Sequence, residues 1–281
     1  MIRTVTLLCS LLLFVSCEDT NVLLMTGAAV DAVNAVTLSD ADVRKLALRA
    51  AYEADSKHQV APAGNPYDTR LQRLLVKHSA RDSKTFNFKV YLTREVNAFA
   101  MADGSIRVFS GLMDRMSDEE LLFVIGHEMG HVVKDHSRKK VVLAYTTSAV
   151  KKGLAAQNNE VGQIAGSMIG AFAEQLTHAQ FSQHEERQAD NYGAAFLRTE
   201  GHDTAAAVSA LEKLAELARQ HTFLSSHPDP ETRAKRIAQG KWEEDSGKDS
   251  ALDRVLDYAK RIAIILLQLV RSLVNWLLAM L

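Results

Sequence analysis

Apolar residues recur along this chain with two periods, and the switch between them marks out its elements. From Ser39 to His58 the apolar positions fall at helical spacing, and Ser39 with Asp42 forms a capping pair that opens a helix. Pro62, Gly64 and Pro66 break the pattern. A second helix follows, with Leu71, Leu74, Leu75 and His78 on one face. The period then drops to two. Phe86, Phe88, Val90 and Leu92 share one face of a strand, and residues 96–101 and 106–109 form two more. Asp103-Gly104 between them is a hairpin signal. The pattern predicts a small three-stranded antiparallel sheet. Everything after Gly111 reads as helix, so the fold class is α+β, mostly helical, with one compact domain.

Two segments stand outside this core. Residues 146–173 are rich in Ala, Gly and Ser, as in a close-packed helical pair or a lid. At the C-terminus, after a charged stretch at 241–249, residues 252–281 contain no Pro or Gly. There Asp257, Arg261, Gln268, Arg271, Ser272 and Asn275 form one polar stripe, interrupted at Ile264, on an otherwise apolar helix. A membrane-spanning placement puts Arg271 near the bilayer centre, so an in-plane helix with Trp276 at the interface is expected. Packing against protein is the alternative.

The N-terminus reads as an export signal. Arg3 precedes an apolar run over 5–15, too short to span a bilayer and ending at Ser16-Cys17. A small residue directly before a cysteine resembles the bacterial lipoprotein pattern, in which Cys17 is lipidated. The chain's two cysteines are Cys9 and Cys17, so thiol catalysis and internal disulfides are excluded for everything beyond the signal. A net charge of −1 gives no reason to expect nucleic acid.

The chemistry lies on two helices. Ser117-Asp118-Glu119-Glu120 is a capping box leading through a buried apolar run into His127-Glu128-Met129-Gly130-His131. Histidines four apart stand on one face, so both rings can reach one ion. Glu128 lies about 100° round from His127, beside the ion and placed to take a proton from water. A third ligand is needed, with a fourth position left open for hydrolysis. His136 would lie about 180° from His127 on a continuing helix, which makes it a surface residue or an outer support. The subclass with a third histidine ten residues on needs a glycine where Lys134 stands, so it is excluded. The expected third ligand is Glu186, with Asp190 one turn later receiving the free ring N–H of a ligand histidine. His184 and Glu185 are rivals. Ala189 and the apolar continuation over 192–197 argue that this helix is buried.

His-Glu-Met-Gly-His followed by Glu186-x-x-Ala189-Asp190 resembles the gluzincin zinc metallopeptidases of the HtpX and CAAX-prenyl-protease type, especially their periplasmic lipoprotein members. Asn97-Ala98-Phe99-Ala100, Ser110-Gly111-Leu112 and His227-Pro228 also match that family. The resemblance covers about residues 37–239. It implies one zinc ion per chain and a substrate-binding edge strand at Asn97, Ala98, Phe99 and Ala100, where a polypeptide adds as a further strand. His227 is implied near the metal, either stabilising the oxyanion or blocking the water site. The domain plan is a signal over 1–16, a tether over 17–38, a metallopeptidase domain over 39–240, and a linker with an amphipathic helix over 241–281.

The expected function is endopeptidase action on unfolded or misassembled envelope proteins, from a membrane-anchored lipoprotein facing the periplasm, with room for an envelope protein partner. Two rival readings are an envelope chaperone or scaffold with little turnover, and a purely structural zinc site. The first has no use for Glu128, and the second is weakened by having only three good ligands.

Overall fold

The computed structural model describes residues 39–142, 144, 180–217 and 226–244. The expected signal and tether, the Ala/Gly/Ser-rich segment and the C-terminal apolar helix lie outside the described residues. Helix α1 (Asp40–Lys57) opens where the sequence places it, with the Ser39 side chain accepting from the Asp42 N–H. Helix α2 (Pro66–Leu75) starts at Pro66 behind an Asn65 cap. It stops at Leu75, so His78 does not share its apolar face. A short hairpin follows, β1 (Ala80–Arg81) and β2 (Lys84–Thr85), which the apolar pattern did not signal.

The main sheet comprises β3 (Asn87–Tyr91), β4 (Ala98–Ala100) and β5 (Ser105–Phe109). It is mixed, which corrects the expected antiparallel arrangement. The hairpin at Asp103-Gly104 does make β4 and β5 antiparallel. β5, however, sits in the middle and runs parallel to β3, Asn87 opposite Ser105 and Tyr91 opposite Phe109. The physical reason is burial on both faces. Every residue of β5 is buried, and only a central strand allows that, whereas three-residue β4 suits an edge. Alternation within a strand specifies its faces, not its neighbour.

Each face of the sheet meets helices. Tyr91, Phe99 and Phe109 pack with Val43, Ala47, Ala50, Ala51 and Ala54 of α1. Val90, Ala98, Ile106 and Val108 pack with α2 and with α4 (Asp118–Val133). A one-turn helix, α3 (Ser110–Met113), links β5 to α4. Beyond lie α5 (Gln183–Thr199), α6 (Ala205–Leu217), α7 (Pro230–Ala238) and the single turn α8 (Lys241–Glu244). The capping box on α4 forms as expected, and Glu120 also receives Lys213 of α6 at 2.7 Å. Among the described residues no helix is long and apolar enough to cross a membrane.

Candidate metal centre

Small residues let α4 and α5 come together closely enough to share a site. A Cβ at Gly130 would stand 3.0 Å from Ala189 Cα, and one at Gly193 would stand 3.0 Å from the His127 backbone nitrogen. Either would force the helices apart. The contact brings His127 and His131 of α4 against Glu186 and Asp190 of α5, all buried. Glu185, the rival ligand, completes a capping box with Ser182. His184 is not among the gathered donors.

The donor spacings fit a single small cation. Donors about 2.0–2.1 Å from a tetrahedral zinc stand about 3.3 Å from each other. His127 Nε2 and His131 Nε2 are 3.0 Å apart, and Glu186 oxygens lie 3.4 Å from His131 Nε2 and 3.6 Å from His127 Nε2. His227 joins this set, its Nδ1 lying 3.2 Å from His127 Nε2 and 3.0 Å from Glu186 Oε1. The cluster therefore has four potential ligand residues, not the three that sequence reasoning counted, and the argument against a closed site from ligand number alone does not stand. A nitrogen and oxygen donor set of this kind suits a divalent transition metal.

The surroundings orient the donors. Asp190 Oδ1 lies 3.0 Å from His127 Nδ1, which turns Nε2 of that ring toward the other donors. Arg233 of α7, which carries no local sequence signal, reaches both Asp190 and Glu186. Burial would raise the Glu186 carboxyl, but Arg233 together with His227 and His131 outweighs it and holds the group well below the usual carboxylate range. Asp190 is lowered against its own burial by Arg233 and His127. Of the two places expected for His136, a surface or a support behind the donors, the structure shows the second, by a different route. Helix α4 ends at Val133, and Asp135 adopts φ 58°, so the chain turns and His136 is buried beside His131 instead of lying on a continuing helix.

Glu128 differs from its neighbours. Both of its oxygens are buried and accept no hydrogen bond among the described residues, and His227 Nε2 stands 3.4 Å from Oε1. Burial chiefly, with the charge of Glu186 adding and that of His127 opposing, pushes its carboxyl up to about 7. This is the range suited to a group that takes up and releases a proton. Glu128 also lines a groove with Phe99, Ala100, Met101, Val141 and Phe181. Phe181 stacks on the His131 ring, its centroid 3.5 Å away.

The expected substrate residues border this groove. β4 is the edge strand on the α4 side of the sheet, and Asn97 directly precedes it. The bonds Phe109 N–H to Asn97 O and Met101 N–H to Ser105 O direct those two residues at β5, so Ala98 and Ala100 turn their backbone groups outward. Cys17 lies outside the described residues.

Comparison with known proteins agrees with this geometry. The chain is 42% identical over 222 residues to metalloprotease LoiP of Escherichia coli, covering 78% of this chain and 87% of the relative. It is 37% identical over 230 residues to metalloprotease YcaL of the same organism, covering 79% and 90%. A beta-barrel assembly-enhancing protease of Escherichia coli is 30% identical over 187 residues, 61% of this chain but 38% of that longer protein. The profile of peptidase family M48 matches residues 66–241, which hold every gathered donor, and the chain belongs to that family of metallopeptidases.

Proposed function

We propose that this chain is a zinc-dependent endopeptidase that cleaves unfolded or misassembled proteins of the bacterial envelope. The observation that carries the reading is Glu128, a buried carboxylate without a hydrogen-bond partner among the described residues, beside three donors on two helices and in the wall of a groove under an edge strand. A purely structural metal site has no use for such a group.

His127, His131 and Glu186 would hold the metal, which when bound supplies a Lewis acid that polarises the scissile carbonyl and makes water more acidic. Glu128 takes the proton from the attacking water and passes it to the departing amine nitrogen. Asp190 keeps the proton of His127 on Nδ1. The Ala98 carbonyl and the Ala100 N–H orient the peptide by pairing with an added strand, while the Ala98 N–H donates to Asn97 Oδ1 and the Ala100 carbonyl accepts from Ser137, and the groove receives a substrate side chain.

His227 takes the second of its two expected roles. Its Nδ1 stands at the spacing of a fourth donor, the position hydrolysis needs open, so the ring blocks that position at rest and withdraws when substrate binds. The filled fourth position also favours a second reading, an envelope scaffold or chaperone with little turnover. Cleavage of unfolded casein by wild type and Glu128→Gln, with zinc content measured in both, separates the readings; equal cleavage, or none by either, removes the enzyme assignment.

The run over 5–17 supports a lipoprotein anchored through Cys17 and facing the periplasm. Labelled palmitate should enter the wild type and not Cys17→Ser, and equal labelling would remove the anchor.

A further inference from the structure

His136 stands outside the donor set, yet its ring is buried directly behind it. His136 Nδ1 lies 3.1 Å from His131 Nδ1, and its Nε2 lies 2.7 Å from Gln188 Oε1 of α5. Two imidazole nitrogens in contact share one proton, so one ring donates and the other accepts. If His131 donates, its proton sits on Nδ1 and its Nε2 carries a lone pair toward the other donors. If His136 donates, neutral His131 must carry its proton on Nε2 and has no lone pair to offer there. The two arrangements have opposite consequences for a cation.

Gln188 selects between them. Its carbonyl oxygen accepts, so His136 places its proton on Nε2 and leaves Nδ1 as the acceptor for His131. We infer that Gln188 and His136 form a positioning relay that holds His131 in the Nδ1–H tautomer and keeps its Nε2 available to the metal. The relay is the counterpart of Asp190 behind His127, but it is built from neutral groups. An amide and an imidazole orient the ring without adding a buried charge. The turn at Asp135 is what makes the contact possible, because a continuing helix would carry His136 away.

This inference rests on His131 being a metal ligand. The test measures zinc affinity of the full chain against a chromophoric chelator at one pH, with zinc ion as the probe. Gln188→Leu removes the acceptor and should weaken zinc binding about 10–100-fold, in the range of other outer supports of metal ligands. Gln188→Glu keeps an acceptor and should bind close to wild type. His136→Phe keeps a ring without the acceptor nitrogen and should match Gln188→Leu. Nitrogen chemical shifts of the metal-free protein should place the His131 proton on Nδ1 in wild type and Gln188→Glu, and should show a mixture of the Nδ1–H and Nε2–H tautomers in Gln188→Leu. If His136→Phe fails to fold, the Gln188 pair still decides. Equal zinc affinity in Gln188→Leu and Gln188→Glu, while His131→Ala loses the metal, would overturn the relay alone. Wild-type zinc affinity in His131→Ala would overturn the metal-centre reading and the relay with it.

Discussion

Arg233 grips Asp190 through two nitrogens, Nε at 2.9 Å from Oδ2 and Nη2 at 2.6 Å from Oδ1. Its remaining nitrogen, Nη1, lies 2.5 Å from Glu186 Oε2. One cation on α7 therefore holds both the carboxylate that orients His127 and the carboxylate proposed to bind the metal. Removing it leaves two buried carboxylates uncompensated. Arg233→Met should destabilise the metal-free protein by about 3–5 kcal/mol. Arg233→Lys should recover only part of this, because an ammonium cannot reproduce the planar fork. Urea unfolding of the metal-free proteins checks both, and a wild-type midpoint for Arg233→Met would contradict the clamp.

Glu128→Gln removes the proton acceptor and keeps the side chain's shape. It should retain about one zinc per chain and lose about 10²–10⁴-fold in casein cleavage. The check is the initial rate of the purified, zinc-loaded variant.

Glu186 and Glu185 are adjacent but do different work. Glu186→Ala should bring zinc occupancy close to zero. Glu185→Ala breaks the capping box at Ser182, costing about 1 kcal/mol of helix stability, and should leave zinc in place. Asp190→Ala should weaken zinc about 10–100-fold. Elemental analysis after gel filtration decides, and loss of zinc in Glu185→Ala would reassign the ligand.

His227 has opposite expected effects under its two roles. If it blocks the fourth position, His227→Ala should cleave casein faster than wild type while binding zinc less tightly, since one potential donor is gone. A slower enzyme with unchanged zinc affinity would instead identify it as an oxyanion donor. Steady-state rates with zinc titrations distinguish them.

Away from the metal, Arg107 at the centre of the sheet is only 2% exposed, and it depends on Asp55 of α1, with Nε 2.7 Å from Oδ1. Burial would raise the Asp55 carboxyl, but Arg107, Lys89 and Tyr91 outweigh it and depress the group below its ordinary value of 3.8. A depressed carboxyl contributes stability that is present above pH 3.8 and is lost as pH falls further, through its folded value. Asp55→Asn should therefore lower stability near pH 7, on the order of 3 kcal/mol, and should flatten the loss below pH 4. Denaturant melts between pH 7 and pH 3 provide the measurement. A variant with the acid slope of wild type would place the sensitive group elsewhere.

Local chemistry made much of this protein readable without coordinates. The caps at Ser39 and Ser117, the hairpin at Asp103-Gly104 and the shared face of His127 and His131 each involve residues within five positions of one another, where backbone geometry alone sets which groups meet. Glu186 and Asp190 were legible for the same reason, as a pair one turn apart, although their distance to α4 was not. Tertiary packing decided the rest. The parallel pairing of β3 with β5, the Asp55–Arg107 pair 52 residues apart, the reach of Arg233 across 106 residues to His127 and the arrival of His227 at the fourth donor position depend on how closely helices and strands approach. His136 shows the difference over the shortest range. Five residues from His131, it would lie elsewhere on an unbroken helix, and one left-handed residue, Asp135, turns it back against the metal site. Sequence period reports which face a residue takes along its own element. Which other element that face meets is settled by packing, because apolar burial is non-directional and many partners satisfy it until close contacts such as Gly130 against Ala189 exclude all but one.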